Sequence, residues 1–436
     1  MRAPWITFVM LSLGCNQVLG NEPGELLASD DAGKVDAAED TDTGTIPVCV
    51  GRLSSVGADP RAGLGLLVQK TGLYMPDPKI TGLALNKYNT VAILEGVPDS
   101  SLLVVGSSEA VTLPRPGGAL AGAGPRFVYA VNALPGDTIS GQSPGPLPAL
   151  ALWSFSDDQV KTTLSLEANV QDFELASRGD DVAIAFWPPR KNGDSLLTID
   201  SDLVEVASTP IATQGLTSIS AMAAAPNGEV YVVLNADGEL VFPGAKSELL
   251  AGPTNVLVAY TKSLSYRWHI LLGGVSPKWP ASLAASNAMV FVGFETEGAA
   301  LSFGAVGRPL CTAETQNALA AFAPDGMLSF VYTFGDERFG LTADASGAYL
   351  SAKQFAFSDG KAGTIGGNGQ FLAKLGNDGK MKWFQVLESW NNGTVSVDAM
   401  IRDEGGGIRL AGRTTGMIDL GPPLVQHEGA FLLSFP

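Results

Sequence analysis

Histidine is scarce in this chain. Only His269 and His427 occur in 436 residues, and neither has a second ligand at metal spacing. Zinc chemistry and general-base catalysis by histidine are therefore poorly supplied. In YRWHILLGG (266–274), His269 sits beside Trp268 in a strand-like run and reads as a packed or surface residue, whereas His427 reads as a loop residue. Carboxylates suited to paired acid–base hydrolysis are present as Asp172, Glu174, Asp336 and Glu337, but sequence alone brings no pair of them to a defined separation. The pairs Asp237-Gly238, Asp325-Gly326 and Asp378-Gly379 invite a calcium reading. None has the dense series of acidic ligands that a calcium loop needs, and turn formation explains all three. The glycine clusters at 366–367 and 405–407 follow strand-like runs and open no helix, so they do not read as phosphate cradles. No metal, cofactor or catalytic set is indicated.

The elements that would hold such residues repeat along the chain. NALAAFAPDG (317–326) and GQFLAKLGNDG (369–379) are both an apolar strand running into an Asp-Gly turn, and a second strand follows each. Closing residues of the same phrase fall at Lys70, Val131, Ile199, Tyr260, Phe322, Leu375 and Phe435. The steps are about 60 residues long, and such a period marks a repeat architecture. An apolar hairpin recurs in phase, as in FELASRGDDVAIAF, AMAAAPNGEVYVVL and LTADASGAYLSAK, and TVAILEGVPDSSLLVVG supplies it in the first step. A third short strand (VTLP, LVFP, LSFG, FAF, IDLG) precedes the closing phrase in five of the steps.

With about four strands per step and little helical periodicity, the fold class is all-β, a β-propeller of four-stranded blades over residues 47–436. Six blades are the plain count. IPVCVGRL (46–53) then either closes the ring beside the carboxy-terminal AFLLSF or is the remnant of a seventh blade.

The amino-terminal segments read differently. MRAPWITFVMLSLGC carries one positive charge at Arg2 and an apolar run from Trp5 to Leu13, which is too short to span a bilayer as a helix. Residues 1–14 therefore read as an export signal. LSLGC (11–15) resembles the lipobox of bacterial lipoproteins, which implies cleavage before Cys15 and lipid attachment to its thiol. The alternative is a leader cut later, for example at Gly20. Between Asn21 and Ile46 the chain has eight carboxylates, one lysine and no aromatic residue. Residues 15–46 thus read as a lipidated cysteine followed by a disordered acidic tether.

Formal net charge is −17, and no Lys/Arg cluster suits nucleic acid. Two cysteines follow Cys15. In an exported chain Cys49 and Cys311 suggest a disulfide. Ring closure would put Cys49 near the first or last blade, however, and a bridge to Cys311 would then have to cross a face of the ring.

The repeat resembles the bacterial β-propeller repeat of SBBP type found in exported proteins. The match is clearest in QFLAKLGNDGKMKW (370–383), GIRLAGRT (407–414) and IDLGPPLVQHEGAFLLSF (418–435), with LSFGAVGRPLCTAETQNALAAFAPDG (301–326) close behind. The resemblance covers residues 64–436, with copies before Asp200 the most divergent. It implies a fold and an exported location but no activity.

The expectation is a lipoprotein of the cell envelope, anchored in the outer membrane on its periplasmic or surface face, whose propeller binds a protein or glycan. Loops 136–149 and 187–195 are the expected recognition rim. The alternative is a propeller enzyme, either a hydrolase or a quinone-dependent oxidoreductase. The latter rests on GNDGKMKWF, in which Trp383 superficially resembles a tryptophan-docking repeat.

Overall fold

A computed structural model describes residues 79–88, 91–97, 100–105, 111–115, 117–146, 148–156, 159–166, 170–273, 282–295, 300–304, 311–312, 317–334, 340–352, 370–390, 393–402, 407–415, 417–419 and 429–435, with short strands at 49–50, 59–60 and 69–70. His427, Asp336, Glu337, Cys15 and the tether lie outside the described residues.

Alternating apolar runs separated by turn residues pair here into seven antiparallel blades. Their innermost strands are Lys79–Leu85, Ala119–Ala123, Asp172–Arg178, Gln214–Ala224, Ser282–Ala285, Gly340–Asp344 and Val395–Arg402. Each innermost strand touches the next, and the seventh touches the first, so the ring is closed. The fold is a seven-bladed β-propeller.

Both faces of each blade are covered by its neighbours, so the middle strands are apolar throughout rather than alternating. Asn317–Phe322 is buried at every position. Successive side chains enter different cores, as the strand period of two requires. Val230, Val232 and Leu234 pack between blades 3 and 4, whereas Tyr231 and Val233 pack between blades 4 and 5. Trp153, Tyr129, Phe127 and Phe155 fill the space between blades 1 and 2. Fully burying side chains of this kind contributes roughly 1.5–3 kcal/mol each.

The seventh blade lies where the repeat had drifted. Third strands of blades 3 to 7 carry the recurring phrase, from Leu196–Asp200 to Gly429–Phe435. In blades 1 and 2 the third strands are Ser100–Val105 and Ala149–Ser156, and neither runs into an Asp-Gly turn. RFVYAV proves to be the second strand of blade 2, and TVAILEGVPDSSLLVVG spans the second and third strands of blade 1. The third short element is also heterogeneous. VTL is the outermost strand of blade 1, whereas LSF and MID are short strands that pair with the outermost strands of blades 4 and 6.

Ring closure differs from the sequence expectation. Cys49–Val50 does not lie beside AFLLSF; it runs parallel to Val331–Tyr332 on the outer edge of blade 5. Asp59–Pro60 pairs in parallel with Trp383–Phe384 of blade 6, and Gln69–Lys70 pairs with Phe431–Leu432 as the fourth strand of blade 7. The chain thus covers three successive outer edges before it enters blade 1. Covering them satisfies backbone groups that an open edge leaves exposed.

The turns joining first and second strands lace neighbouring blades together. The Lys87 amide donates to the Gly124 carbonyl, and the Gly124 amide donates to the Gly179 carbonyl, both at 2.8 Å. Arg178 Nη2 donates to the Lys262 carbonyl at 2.7 Å, and the Asn227 amide donates to Asn287 Oδ1 at 2.8 Å. Gly122 is required at one such approach, because a Cβ there would sit 1.8 Å from the Leu85 carbonyl oxygen.

Candidate functional site: the central channel and its acidic mouth

The innermost strands surround a channel, and side-chain size sets its character. At the end where these strands finish, all seven contribute to a cavity of about 580 Å³. Its wall is mostly small or apolar, including Ala121, Met222, Ala284 and Ala343, with Lys87, Arg178 and Arg402 as its cations. At the opposite end, where the strands begin, blades 1 to 4 enclose a second cavity of about 450 Å³. Leu83, Leu120 and Leu175 line both cavities and place apolar side chains at the boundary they share.

Asp172 and Glu174 line the second cavity, with Gln171 and the glycines Gly117 and Gly118 beside them. They lie two residues apart on the innermost strand of blade 3, so their side chains project to the same side. That side faces blade 4, as the packing of Ala176 and the bond from Arg178 to the Lys262 carbonyl show. Burial pushes Glu174 up to about 7, and the charge on Asp172 adds to the rise. Asp172 is also raised by burial. No hydrogen bond among the described residues offsets either shift. Both residues had been singled out in the sequence, but without a defined separation; the period-two pattern of a strand is the signal that could have put them on one side.

The connections between second and third strands rise at this same end. Loop 136–149 in blade 2 is held by Arg115 Nε on Asp137 Oδ2 at 2.6 Å and by Trp153 Nε1 donating to the Gln142 carbonyl at 3.4 Å. Loop 187–195 in blade 3 is held by Arg190 Nη1 on Glu205 Oε2 at 2.7 Å. The two expected rim loops and the acidic cavity therefore belong to adjoining blades and one end of the ring.

His269 has partners that the sequence did not reveal. It lies on the outermost strand of blade 4, with Nε2 2.5 Å from Glu248 Oε2 and Nδ1 2.7 Å from the Tyr266 hydroxyl. The Phe242 ring stacks on Tyr266 at 5.2 Å, and a cavity of about 390 Å³ adjoins the group. Glu248 is 21 residues before His269, and no spacing rule links them.

Other residues take structural roles. Asp325 Oδ1 accepts from the Met327 amide, and Asp378 Oδ1 from the Lys380 amide, with positive φ at Gly326 and Gly379. These are turns, and Asp237 likewise accepts from the Gly238 amide. Trp383 is buried and tilted against Tyr349 at 6.0 Å, in the core between blades 6 and 7. Among the described residues no three His, Cys, Asp or Glu side chains gather as a metal site. Cys311 lies on a hairpin whose other strand, Ala300–Phe303, pairs with the outermost strand of blade 4. Cys49 lies on the outer edge of blade 5. The expected position of Cys49 near the first or last blade is corrected, and with it the need for a bridge to cross a face.

No family model matches the chain, and no curated protein matches it in sequence. Solved structures resemble the chain only at low identity and low TM-score. A streptogramin B lyase is 9% identical with a TM-score of 0.45, over 85% of this chain and 98% of that one. A virginiamycin B lyase from Staphylococcus aureus with quinupristin is 7% identical with a TM-score of 0.41, over 85% and 99%. YCF48 bound to D1 peptide is 10% identical with a TM-score of 0.35, over 90% and 99%.

Proposed function

We propose that the chain is a lipid-anchored protein of the cell envelope that binds a protein or glycan at the acidic end of its propeller. The observation that carries this reading is the meeting at one end of the ring of two anchored loops from adjoining blades and a cavity whose two carboxylates have no hydrogen bond or ion pair among the described residues. Loops on a rigid scaffold around a concave site are where recognition is usually built. The anchor rests on the lipobox-like LSLGC, with Cys15 as the attachment residue, and the SBBP-type resemblance supports export.

The test is isolation of the native protein from membranes, with mass spectrometry of its amino terminus and its companions. Acylated Cys15 and one stoichiometric partner, lost when loop 136–149 is replaced by a short Gly-Ser linker, are the expected results. An unmodified later terminus would remove the anchor. No companion, or one indifferent to the loop, would remove the binding face.

A hydrolase reading draws on one observation, the line Glu248–His269–Tyr266 beside its cavity. A carboxylate that orients an imidazole toward a hydroxyl is an arrangement suited to proton transfer. Turnover of ester or glycoside substrates that His269→Ala abolishes would move the function to blade 4.

A further inference from the structure

We propose that the acidic mouth binds an organic cation, an ammonium or guanidinium group on an alkyl stem, held by Asp172 and Glu174, a reading that rests on this end being the binding face. Several other carboxylates of the ring are held by a cation. Asp137 is paired with Arg115, Glu205 with Arg190, Asp344 with Lys374 and Asp398 with Arg413. Asp172 and Glu174 have no such ion pair among the described residues, and no Lys, Arg or His is among the described residues that line their cavity. An enclosed carboxylate without a partner is costly, and a cation arriving from outside removes that cost.

The shape of the site narrows the class. Two carboxylates fall short of the six to eight oxygens of a calcium site. Leu83, Leu120 and Leu175 line the same cavity and supply apolar surface, which suits methylene groups rather than a hydrated ion. At the entrance Gly117 leaves open space where a side chain would stand. The complementary ligand is therefore cationic at one end and aliphatic behind it. A lysine or arginine side chain of a partner protein and a free alkylamine share this chemistry.

Ionisation supplies a second readout. Glu174 is driven upward by burial and by Asp172, the other titratable group among the described residues that line the cavity. Cation binding should tighten between pH 5.5 and pH 8 as Glu174 loses its proton.

The experiment is calorimetric titration of the full chain with hexylammonium, hexylguanidinium, N-acetyl-lysine amide and hexanoate. Binding of the alkyl cations but not hexanoate is expected, roughly tenfold weaker in Glu174→Gln and Asp172→Asn. Glu239→Gln, an exposed position on blade 4, should leave it unchanged. Circular dichroism checks that each variant is folded. Preference for N-acetyl-lysine amide assigns a protein side chain as the natural source, and preference for hexylammonium assigns a free amine. Absence of cation binding, or binding indifferent to Glu174→Gln, overturns the proposal. A membrane partner that Glu174→Gln retains as the native protein does would overturn the cation site and leave the binding face standing. Cation binding without any partner would do the reverse.

Discussion

Lys374 Nζ lies 2.8 Å from Asp344 Oδ2 in blade 6, tying the third strand to the end of the innermost one. Tyr349 on the strand between them donates its hydroxyl to the same carboxylate oxygen at 2.8 Å. Burial alone would raise Asp344, but hydrogen bonds from Lys374, Ser346 and Tyr349 outweigh it and draw the carboxyl down to about 2.

A depressed carboxyl stabilises the fold fully above its unfolded pKa, and that contribution is lost as pH falls through the folded value. Asp344→Asn should therefore cost about 2 kcal/mol at pH 7 and flatten the loss of stability between pH 4 and pH 2. Urea denaturation across that range measures it. Parallel pH profiles for the two proteins would show that the network does not hold the blade.

Glu174 carries the opposite sign. Its folded pKa of about 7 lies above the ordinary carboxylate range, so its contribution is complete at low pH and is lost as pH rises through 7. Glu174→Gln should match the native protein at pH 4 and exceed it at pH 8. Because the residue is only partly enclosed, the gain should be about 1–2 kcal/mol rather than the full value of the shift. A variant less stable than the native chain at pH 8 would contradict a half-buried placement without a partner among the described residues.

Gly122→Ala should be among the more damaging substitutions in the ring. The added methyl would overlap the Leu85 carbonyl, which is backbone and cannot rotate away, and the amide of Gly122 also holds Ser177 Oγ at 2.9 Å. Blades 1 and 2 would have to separate, at about 3 kcal/mol or more. A melting temperature unchanged from the native value would mean that the blades are not so closely approached.

The amino-terminal strands should act as a latch. A chain beginning at Thr71 lacks the three short pairings on blades 5, 6 and 7 and leaves those edges open. Compared with a chain beginning at Pro47, it should melt earlier and associate more readily. Light scattering and calorimetry of the two chains decide the matter, and equal behaviour would assign the latch no role.

With Cys49 and Cys311 on the edges of neighbouring blades, a disulfide between them no longer has to cross the ring. The protein purified without reductant is expected to show no alkylatable thiol at either position after denaturation. Two modified cysteines in its intact mass would exclude the bridge.

Much of this architecture was legible in the residues themselves. NALAAF and QFLAKL are apolar at nearly every position because both sheet faces are covered, and Asp325-Gly326 and Asp378-Gly379 mark turns through local backbone chemistry that needs no distant partner. Period and turn signals are local, so they survive in sequence. The count of about six blades, with seven left open, fell short of fixing the number where the signal is not local. In Ser100–Val105 and Ala149–Ser156 the strand is made by its neighbours rather than by a turn motif.

Sequence by itself determined the all-β class and the strand-and-turn rhythm, while the carboxylates Asp172 and Glu174 stood in it as scattered residues with no defined separation. Tertiary structure decided the closure of seven blades, the route of Cys49–Val50 to blade 5, and the meeting of Glu248, His269 and Tyr266. The physical reason is separation along the chain. Hydrogen-bond partners and blade contacts between distant residues depend on how the ring closes, and no short-range pattern encodes that distance.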